Sequence, residues 1–200
     1  VVFLGSTGLV GQALLVELNQ HPLIKEINLI SRKKSIIESN KINQAIYPEL
    51  TVESLKTIRL KADVFICTIG TTIKKAKTKE NFRRVDHDLA IAFAQMAKRS
   101  NASSFHIISS KGASSNSLFF YNKVKGDVEN HLLDLKLPSV YIYRPSLLIG
   151  KREEERPAEK LGIFAYKNLT TFLPTTAQKN LGTNVHLLVK KMVDNITDFR

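Results

Sequence analysis

The sequence opens with Val1-Val2-Phe3-Leu4-Gly5-Ser6-Thr7-Gly8-Leu9-Val10-Gly11, an apolar run that leads into three evenly spaced glycines. The run is typical of a buried strand, and the residues after it have the spacing of an amphipathic helix. Gly5 suits the tight turn, Gly8 lets the backbone approach a ligand, and Gly11 lets helix and strand pack closely. The stretch therefore predicts a strand–turn–helix unit.

Such a turn can be purely structural, or it can bind the phosphates of a nucleotide. We favour nucleotide binding, because the N–H groups at the start of the predicted helix would meet the phosphate charge. The predicted contacts in this turn are Gly5, Ser6, Thr7, Gly8, Leu9 and Val10.

Short apolar runs alternate with segments of helical period along the rest of the chain. This alternation is typical of βαβ units, and nearly continuous apolar runs indicate strands covered on both faces. The predicted strands are Val1–Leu4, Glu26–Ser31, the weaker Lys41–Tyr47, Asp63–Thr68, Ser104–Ser109 and Ser139–Tyr143. The predicted helices are Val10–Asn19, a segment from Val52, Val85–Arg99, Tyr121–Leu135, Ala158–Leu169 and Asn184–Ile196. The expected fold is α/β, a doubly wound parallel sheet of Rossmann type.

The length of 200 residues, 43% of them hydrophobic, predicts a single domain over residues 1–200. The pattern changes after Gly150, and residues 151–200 are expected to form a small helical extension on the substrate side. The chain begins at Val1 without a methionine and inside an apolar run, so we expect that residues of the first strand precede it.

A formal charge of +12 raises the question of nucleic-acid binding. The positive charge is spread over both halves of the chain, and its one cluster, Lys74–Arg84, contains a single aromatic residue, Phe82, for base stacking. Nucleic acid is therefore an unfavoured partner. The cluster could instead form a basic lid over a phosphorylated cofactor or attract an anionic substrate.

Cysteine content and hydropathy predict a cytoplasmic protein without a membrane partner. Cys67 is the only cysteine, so no internal disulfide can form, which fits a reducing compartment. No apolar run reaches the roughly 20 residues that span a bilayer, and no signal-peptide pattern opens the chain. The histidines and Cys67 lack metal-ligand spacing, so no metal site is predicted. The run Glu153-Glu154-Glu155 is interpreted as a solvated loop.

The second predicted strand ends in Ser31-Arg32-Lys33-Lys34, with no acidic residue. Enzymes that select NAD usually place an acid here for the ribose 2′-hydroxyl, whereas an arginine accommodates a 2′-phosphate. Arg32, assisted by Ser31 or Lys33, is the candidate for that phosphate. NADP(H) is therefore favoured over NAD(H), the alternative being a solvated basic loop.

Tyr121 and Lys125 are four residues apart in a predicted helix, so their side chains share one face. A lysine beside a phenol favours the phenolate, which suits a group that gives and takes a proton. The same spacing also occurs by chance in helix-surface pairs.

In combination, these motifs resemble the short-chain dehydrogenase/reductase superfamily of the atypical or extended type. The resemblance rests on Gly5-x-x-Gly8-x-x-Gly11, Ser110, Tyr121-x-x-x-Lys125 and Arg144-Pro145. Further blocks are similar to the branch that contains the Tat-interacting-protein oxidoreductase and its bacterial relatives. They are Gly70-Thr71-Thr72, Phe82-Arg83-Arg84-Val85-Asp86, Ser109-Ser110-Lys111-Gly112-Ala113, Lys125-Gly126-Asp127-Val128-Glu129, Arg144–Leu148 and Arg152–Pro157.

The resemblance implies roles for three catalytic candidates. Tyr121 would be the general acid and base, and Lys125 would tune it and hold the nicotinamide ribose. Ser110 would orient a substrate carbonyl or hydroxyl, with Ser109 as the alternative. The implied cofactor contacts beyond the first turn are Arg32, Lys33, Cys67, Thr68, Gly70, Lys125, Pro145 and Leu148.

Two residues keep more than one interpretation. Cys67 is either a reactive thiol or, as we favour, a small buried apolar side chain. Asp86 stands where many superfamily members have asparagine, which puts their usual proton relay in doubt. It could serve instead only to cap or brace its helix.

The sequence therefore predicts an NADP(H)-dependent oxidoreductase that acts on an unidentified carbonyl or alcohol, a small-molecule substrate. The first alternative is an NAD(P)-binding regulator with little turnover, read by a protein partner. The second is a sugar-nucleotide epimerase, disfavoured because the residues after Gly150 leave little room for a larger substrate domain. Substrate class rests on analogy alone.

Overall fold

The computed structural model of the protein describes residues 1–149 and 182–198. Its centre is a parallel sheet of six strands in the order β3-β2-β1-β4-β5-β6. The strands are β1 (Val2–Leu4), β2 (Ile27–Ser31), β3 (Ile42–Ile46), β4 (Val64–Cys67), β5 (Ser104–Ile108) and β6 (Val140–Tyr143). This order is that of the Rossmann fold, so the fold class predicted from the sequence is confirmed.

Helices connect the strands and cover both faces of the sheet. They are α1 (Leu9–Gln20), α2 (Val52–Thr57), α3 (Ile73–Ala76), α4 (Lys79–Arg83), α5 (Leu89–Arg99), α6 (Phe120–Asp134) and α7 (Val185–Thr197). A π-helical turn, Arg84–Asp88, joins α4 to α5 without a break in helical backbone. A separate parallel pair consists of β7 (Leu147–Ile149) and β8 (Gly182–Asn184).

The structure differs from the sequence prediction in three places. The four-residue helix α3 was not predicted. The helix expected over Val85–Arg99 begins with the π turn and continues as α5, and it is preceded by α4, which Thr78 caps by accepting a hydrogen bond from the Asn81 amide. The pair β7–β8 was missed, since strands of three residues show no periodicity. The predicted helix Ala158–Leu169 lies outside the described residues, whereas the last helix is present as α7.

The core has two parts, one on each face of the sheet. Leu55 of α2, Phe93 of α5 and Leu132 of α6 lie on one face. Leu14 of α1 and Met192 of α7 lie on the other. Alternate residues of each strand point to opposite faces, so strands buried on both sides must be apolar throughout. This requirement explains the runs from which the strands were predicted.

The turn after β1 brings helix and loop into contact where only glycine fits. Gly5 has a φ of +99°, and a Cβ atom on it would lie 2.5 Å from the Ile69 amide nitrogen. A Cβ on Gly11 would lie 2.2 Å from the Gly5 carbonyl oxygen. The start of α1 therefore packs directly on the loop backbone, as the glycine spacing predicts.

We expect Gly11→Ala to lower the free energy of unfolding by about 2 kcal/mol or more, because the backbone must shift to admit the methyl group. Gly8→Ala is the matched control: its Cβ would meet nothing closer than 3.6 Å. We expect that control to cost less than ~1 kcal/mol, the scale of a change of N-cap residue. Urea unfolding of the two variants checks the order, and equal losses would contradict the close approach.

Candidate functional site

The carboxyl ends of the sheet strands lie side by side at one edge of the sheet. Leu4 at the end of β1 is in register with Ile30 of β2 and with Cys67 of β4. Ile108 of β5 is paired with Tyr143 of β6 in the same way. The loops that follow these strands carry most of the candidate residues, so the structure brings those residues to one edge. The strand order reverses between β1 and β4, the point where ligands of such sheets usually bind.

The glycine turn is held in place by the Gly5 carbonyl oxygen. This oxygen accepts hydrogen bonds from the Gly8 amide at 3.2 Å and from the Thr68 hydroxyl at 2.9 Å. Thr7 and Gly8 are exposed, Leu9 is half-buried, and Val10 is buried in the core. A ligand in this turn would therefore meet main-chain groups of Val10 and not its side chain.

Two features of this turn fit an anionic ligand. No side chain caps the start of α1 at Gly8, so the first N–H groups of the helix lack a partner of that kind. The Ser6 side chain is buried, and its hydroxyl has no hydrogen-bond partner among the described residues. Buried hydroxyls are normally paired, so this one is available to a bound group. The residues present fit a nucleotide phosphate.

The loop after β2 presents two cations to solvent. Arg32 and Lys33 are exposed. Ser31 donates its hydroxyl to the Lys33 carbonyl oxygen at 2.6 Å, which leaves Ser31 fewer means to assist with a phosphate. The next acidic residue along the chain, Glu38, pairs with Lys34 at 2.5 Å.

The loop after β4 contributes backbone and one hydroxyl. Cys67 is fully buried, and burial raises the pKa of its thiol to about 12. This thiol stays protonated at neutral pH, which favours the small apolar side chain over the reactive thiol. Thr68 binds the glycine turn, and Gly70 is exposed.

Ser109 and Ser110, which follow β5, have different surroundings. The Ser109 hydroxyl donates to Glu129 Oε1 at 2.5 Å and is buried. The Ser110 hydroxyl is also buried but has no hydrogen-bond partner among the described residues. Ser110 therefore keeps a free hydroxyl for a ligand, while Ser109 serves the fold.

Glu129 of α6 binds Arg144, which follows β6. Arg144 Nε lies 2.9 and 3.1 Å from the two carboxylate oxygens, and its Nη2 lies 2.6 Å from Oε2. The Glu129 side chain is 7% exposed and that of Arg144 is 56% exposed. With Ser109, this pair ties α6 to the ends of β5 and β6.

Tyr121 and Lys125 lie in the first half of α6, as predicted. Tyr121 is 41% exposed, and its ring lies 5.7 Å from that of Phe82. Lys125 is buried, and its ammonium forms an ion pair with Asp86 Oδ1 at 2.8 Å. Asp86 therefore braces Lys125 and is not the cap of its helix.

The segment after β6 adds two further candidates. Pro145 is buried, and its carbonyl oxygen accepts a hydrogen bond from the Lys111 amide at 2.8 Å. This contact links the loops after β5 and β6. Leu148 lies in β7, where it is paired with Thr183 of β8.

Sequence reasoning missed the function of Glu129 and the two contacts of Asp86. Both carboxylates stand in helices, and each finds its partner on another element more than 14 residues away. Within the basic cluster Lys74–Arg84, Arg83 pairs with Asp127 of α6 at 2.8 Å, a contact that the sequence did not indicate. No local pattern signals such long-range pairs.

Comparison with known proteins places the chain in a family. The family model described as HIM1 matches residues 21–177. The chain belongs to the HIM1 family. It is 32% identical to protein HTATIP2 of Rattus norvegicus over 199 residues, covering 98% of this chain and 80% of the relative. It is 40% identical over 154 residues to protein FMP52, mitochondrial, of Meyerozyma guilliermondii, covering 76% of this chain and 66% of the relative. The resemblance drawn from the motifs is confirmed.

The predicted cytoplasmic location of this HIM1-family chain is wrong on these comparisons. Its relatives from Meyerozyma guilliermondii, Scheffersomyces stipitis and Emericella nidulans are all named as mitochondrial proteins. The cysteine content was a poor guide, because a single thiol forms no internal disulfide in any compartment. Within residues 1–149 and 182–198, no helix combines the length and apolar character that a membrane crossing requires.

Solved structures share the fold at low sequence identity. The Bordetella bronchiseptica enzyme WbmH in complex with NAD⁺ superposes with a TM-score of 0.71 at 15% identity, covering 98% of this chain and 72% of that one. A short-chain dehydrogenase family protein from Francisella tularensis gives 0.65 at 15% identity, covering 98% and 90%. The fold of this chain is therefore the one that these two solved structures share.

We expect Arg144→Leu to destabilise the protein more than Glu129→Gln. Removal of Arg144 leaves a buried carboxylate unpaired, which costs about 3 kcal/mol. Glu129→Gln keeps an acceptor for Ser109 and leaves an arginine that water can solvate, so its cost is about 1 kcal/mol. Urea unfolding at neutral pH measures both, and the reverse order would contradict the role of the pair.

Proposed function

We propose that this HIM1-family protein is an NADP(H)-dependent oxidoreductase that interconverts a carbonyl and an alcohol on a small-molecule substrate. The observation that carries the proposal is the meeting of two sets of groups at one sheet edge. One set is the glycine turn with the buried Ser6 hydroxyl, and the other is the buried Ser110 hydroxyl together with Tyr121 and Lys125. Neither hydroxyl has a hydrogen-bond partner within the part of the chain that the structure describes. The structural similarity to the WbmH enzyme, which was solved in complex with NAD⁺, supports the nucleotide part of the proposal.

The glycine turn and the start of α1 would hold the pyrophosphate. Main-chain N–H groups of Ser6, Thr7, Leu9 and Val10 would offer donors there, while the Gly8 amide is bound to the Gly5 carbonyl oxygen. The helix dipole favours negative charge at that end. Thr68 and Gly70, after β4, line the next part of the same edge, with the main chain of Cys67 behind them. Pro145 and Leu148 would close the far side, where the nicotinamide lies in the family.

The preference for NADP(H) is supported by Arg32 and Lys33, exposed after β2. The next acidic residue, Glu38, lies seven positions beyond the end of β2 and forms an exposed ion pair with Lys34, so no acid stands at the strand end itself. The guanidinium of Arg32 suits a 2′-phosphate, with which it can form charge-assisted hydrogen bonds.

Bound nicotinamide would supply the hydride, and the protein would supply orientation and a proton. Tyr121 would transfer that proton to or from the substrate oxygen from its partly exposed position. Ser110 would hold the same oxygen by a hydrogen bond. Lys125 carries a positive charge close enough to Tyr121 for the two to interact electrostatically.

Nucleotide selectivity can be tested by thermal unfolding with NADP⁺ and NAD⁺ in parallel. A ligand at a hundredfold excess over its Kd stabilises the native state by ~2.7 kcal/mol, which raises Tm by roughly 5–10 °C at this chain length. We expect the larger shift with NADP⁺. Arg32→Ala should weaken NADP⁺ binding about tenfold or more and leave NAD⁺ binding unchanged.

Arg59→Ala is the control for this experiment. Arg59 lies between α2 and the start of β4, at the opposite edge of the sheet, and donates to the Lys56 carbonyl oxygen. It should leave both nucleotides unaffected. A larger shift with NAD⁺ would contradict the role of Arg32, and no shift with either nucleotide would contradict the function itself.

Turnover can be tested with Tyr121→Phe in a reductase screen over a panel of carbonyl compounds. Loss of the proton donor should lower kcat about 10²–10⁴-fold, while the Kd for NADP⁺ stays within about twofold because the ring remains. The control is Tyr141→Phe, whose ring stacks on His106 at 4.5 Å within the sheet. If the nucleotide binds but neither wild type nor variant reduces any compound, the regulator alternative is favoured.

A further inference from the structure

Asp86 occupies a position in which both carboxylate oxygens are used. It stands in the π turn between α4 and α5, and its side chain is 1% exposed. Oδ1 binds the Lys125 ammonium of α6 at 2.8 Å. Oδ2 accepts the Thr71 amide of the loop after β4, also at 2.8 Å. One side chain thus joins that loop to α6.

The chemistry of these two neighbours explains why a carboxylate stands there. The Lys125 ammonium and the Thr71 amide are both donors, so the position requires two acceptors. An asparagine has one acceptor oxygen and one NH₂ group, and either orientation would turn its NH₂ toward a donor. Asp86 is therefore not interchangeable with the amide of the same shape.

The charge of Lys125 also depends on Asp86. Burial alone would lower the pKa of Lys125, but attraction to Asp86, and then to Tyr121, raises it above its usual value. The groups that face the ammonium are Asp86 from the π turn, Tyr121 from its own helix and Cys67 from the end of β4. The Cys67 thiol, with a pKa of about 12, is neutral at physiological pH.

The π turn is fixed against α6 by two further contacts. Arg83, just before it, pairs with Asp127 at 2.8 Å. His87 Nε2 lies 2.7 Å from His131 Nδ1. These contacts hold the position of residue 86 even when its charge is removed. A π turn within an α-helix is itself frequent at functional sites.

We propose that Asp86 is a positioning residue that holds the Lys125 ammonium and the Thr71 amide together for the nicotinamide-side ribose of the dinucleotide. This inference rests on the proposed function and deepens it. Lys125 donates to Asp86, and its other N–H groups would donate to ribose hydroxyls. The hydrogen-bond partners of the Asp86 carboxylate among the described residues are Lys125 and Thr71, so the glycine turn after β1 should bind phosphate without help from Asp86.

The test compares two ligands that differ in the nicotinamide half, using isothermal titration of NADP⁺ and of adenosine 2′,5′-bisphosphate. Asp86→Asn should weaken NADP⁺ binding about tenfold, whereas binding of the bisphosphate should stay within twofold. Asp127→Asn is the matched control, because it removes the same charge from a neighbouring ion pair. It should leave the Kd of both ligands within twofold, because the His87–His131 contact still holds the π turn against α6.

Each outcome decides the inference. Equal weakening of both ligands by Asp86→Asn indicates a merely structural role and overturns it, as does no effect on either ligand. If the wild type binds neither ligand, the proposed function is wrong. This result differs from a failure of the inference, in which the wild type binds both ligands and only the response to Asp86→Asn departs from expectation.

A second measurement follows unfolding between pH 7 and 10 in a Tyr121→Phe background, which removes one of the facing groups. With Asp86 present, Lys125 stays charged and stabilises the fold throughout this range, because its folded-state pKa is raised. With asparagine, burial dominates and lowers that pKa, so the variant gains stability as the pH rises. The loss of unfolding free energy that Asp86→Asn causes should therefore be, at pH 10, at most half of its value at pH 7.

The loss of unfolding free energy that Asp127→Asn causes should stay constant over the same pH range, because Arg83 remains charged. If the loss of unfolding free energy caused by Asp86→Asn also stays constant with pH, the inference is overturned. If Asp86→Asn alone does not fold, the double variant Asp86→Asn with Lys125→Met removes the unpaired ammonium. That variant should fold, and its selective loss of NADP⁺ binding should be close to that of Lys125→Met alone, because Asp86 acts through Lys125. Equal loss of both ligands in it would again overturn the inference.

Discussion

The constraint on which the site depends is that all six strands of the main sheet are parallel and in register at their carboxyl ends. Each connection must return along a face of the sheet, so every strand ends at the same edge and the next helix begins near it. The glycine turn, the loop after β4 and the serines after β5 are remote in sequence. They become neighbours only because of this geometry.

A second constraint acts on α6, which carries two charged side chains that are almost fully buried. Lys125 is 6% exposed and Glu129 is 7% exposed. A buried charge is costly unless it is paired, and each of these has its partner on another element, Asp86 in the π turn and Arg144 after β6. The two ion pairs thus fix α6 against the π turn and against the segment after β6. These pairs explain why α6, although partly buried, carries charged residues that would suit a surface helix.

In the structure, several of the positively charged side chains have specific positions or contacts that account for part of the net charge. Arg32 and Lys33 lie at the edge where the glycine turn lies, Arg83 is paired with Asp127, and Lys79 lies 5.4 Å from the centre of the Phe120 ring. Some of the cations of the Lys74–Arg84 cluster therefore support α6. For the other cations of this cluster, the two roles suggested by the sequence stay predictions: a basic lid over the cofactor, or attraction of an anionic substrate.

Much of the fold could be predicted from the sequence because its signals are local. Apolar runs gave the strands within one or two residues, since a strand covered on both faces must be apolar throughout. The three glycines gave the turn, because steric contact there excludes any Cβ at Gly5 and Gly11. The spacing of Tyr121 and Lys125 gave their common helix face. The short strands β7 and β8 and the π turn were not predictable, since three to five residues carry no periodicity.

The sequence by itself thus determined the sheet and the glycine turn, which follow from steric and hydrophobic patterns between near neighbours. Most candidate residues beyond that turn came from the family resemblance. Only the tertiary structure decided which of two adjacent serines keeps a free hydroxyl, and that Asp86 pairs with Lys125. Both depend on single hydrogen bonds between groups 20 and 39 positions apart in the chain. Such bonds are set by the packing of whole elements, and no local pattern records them.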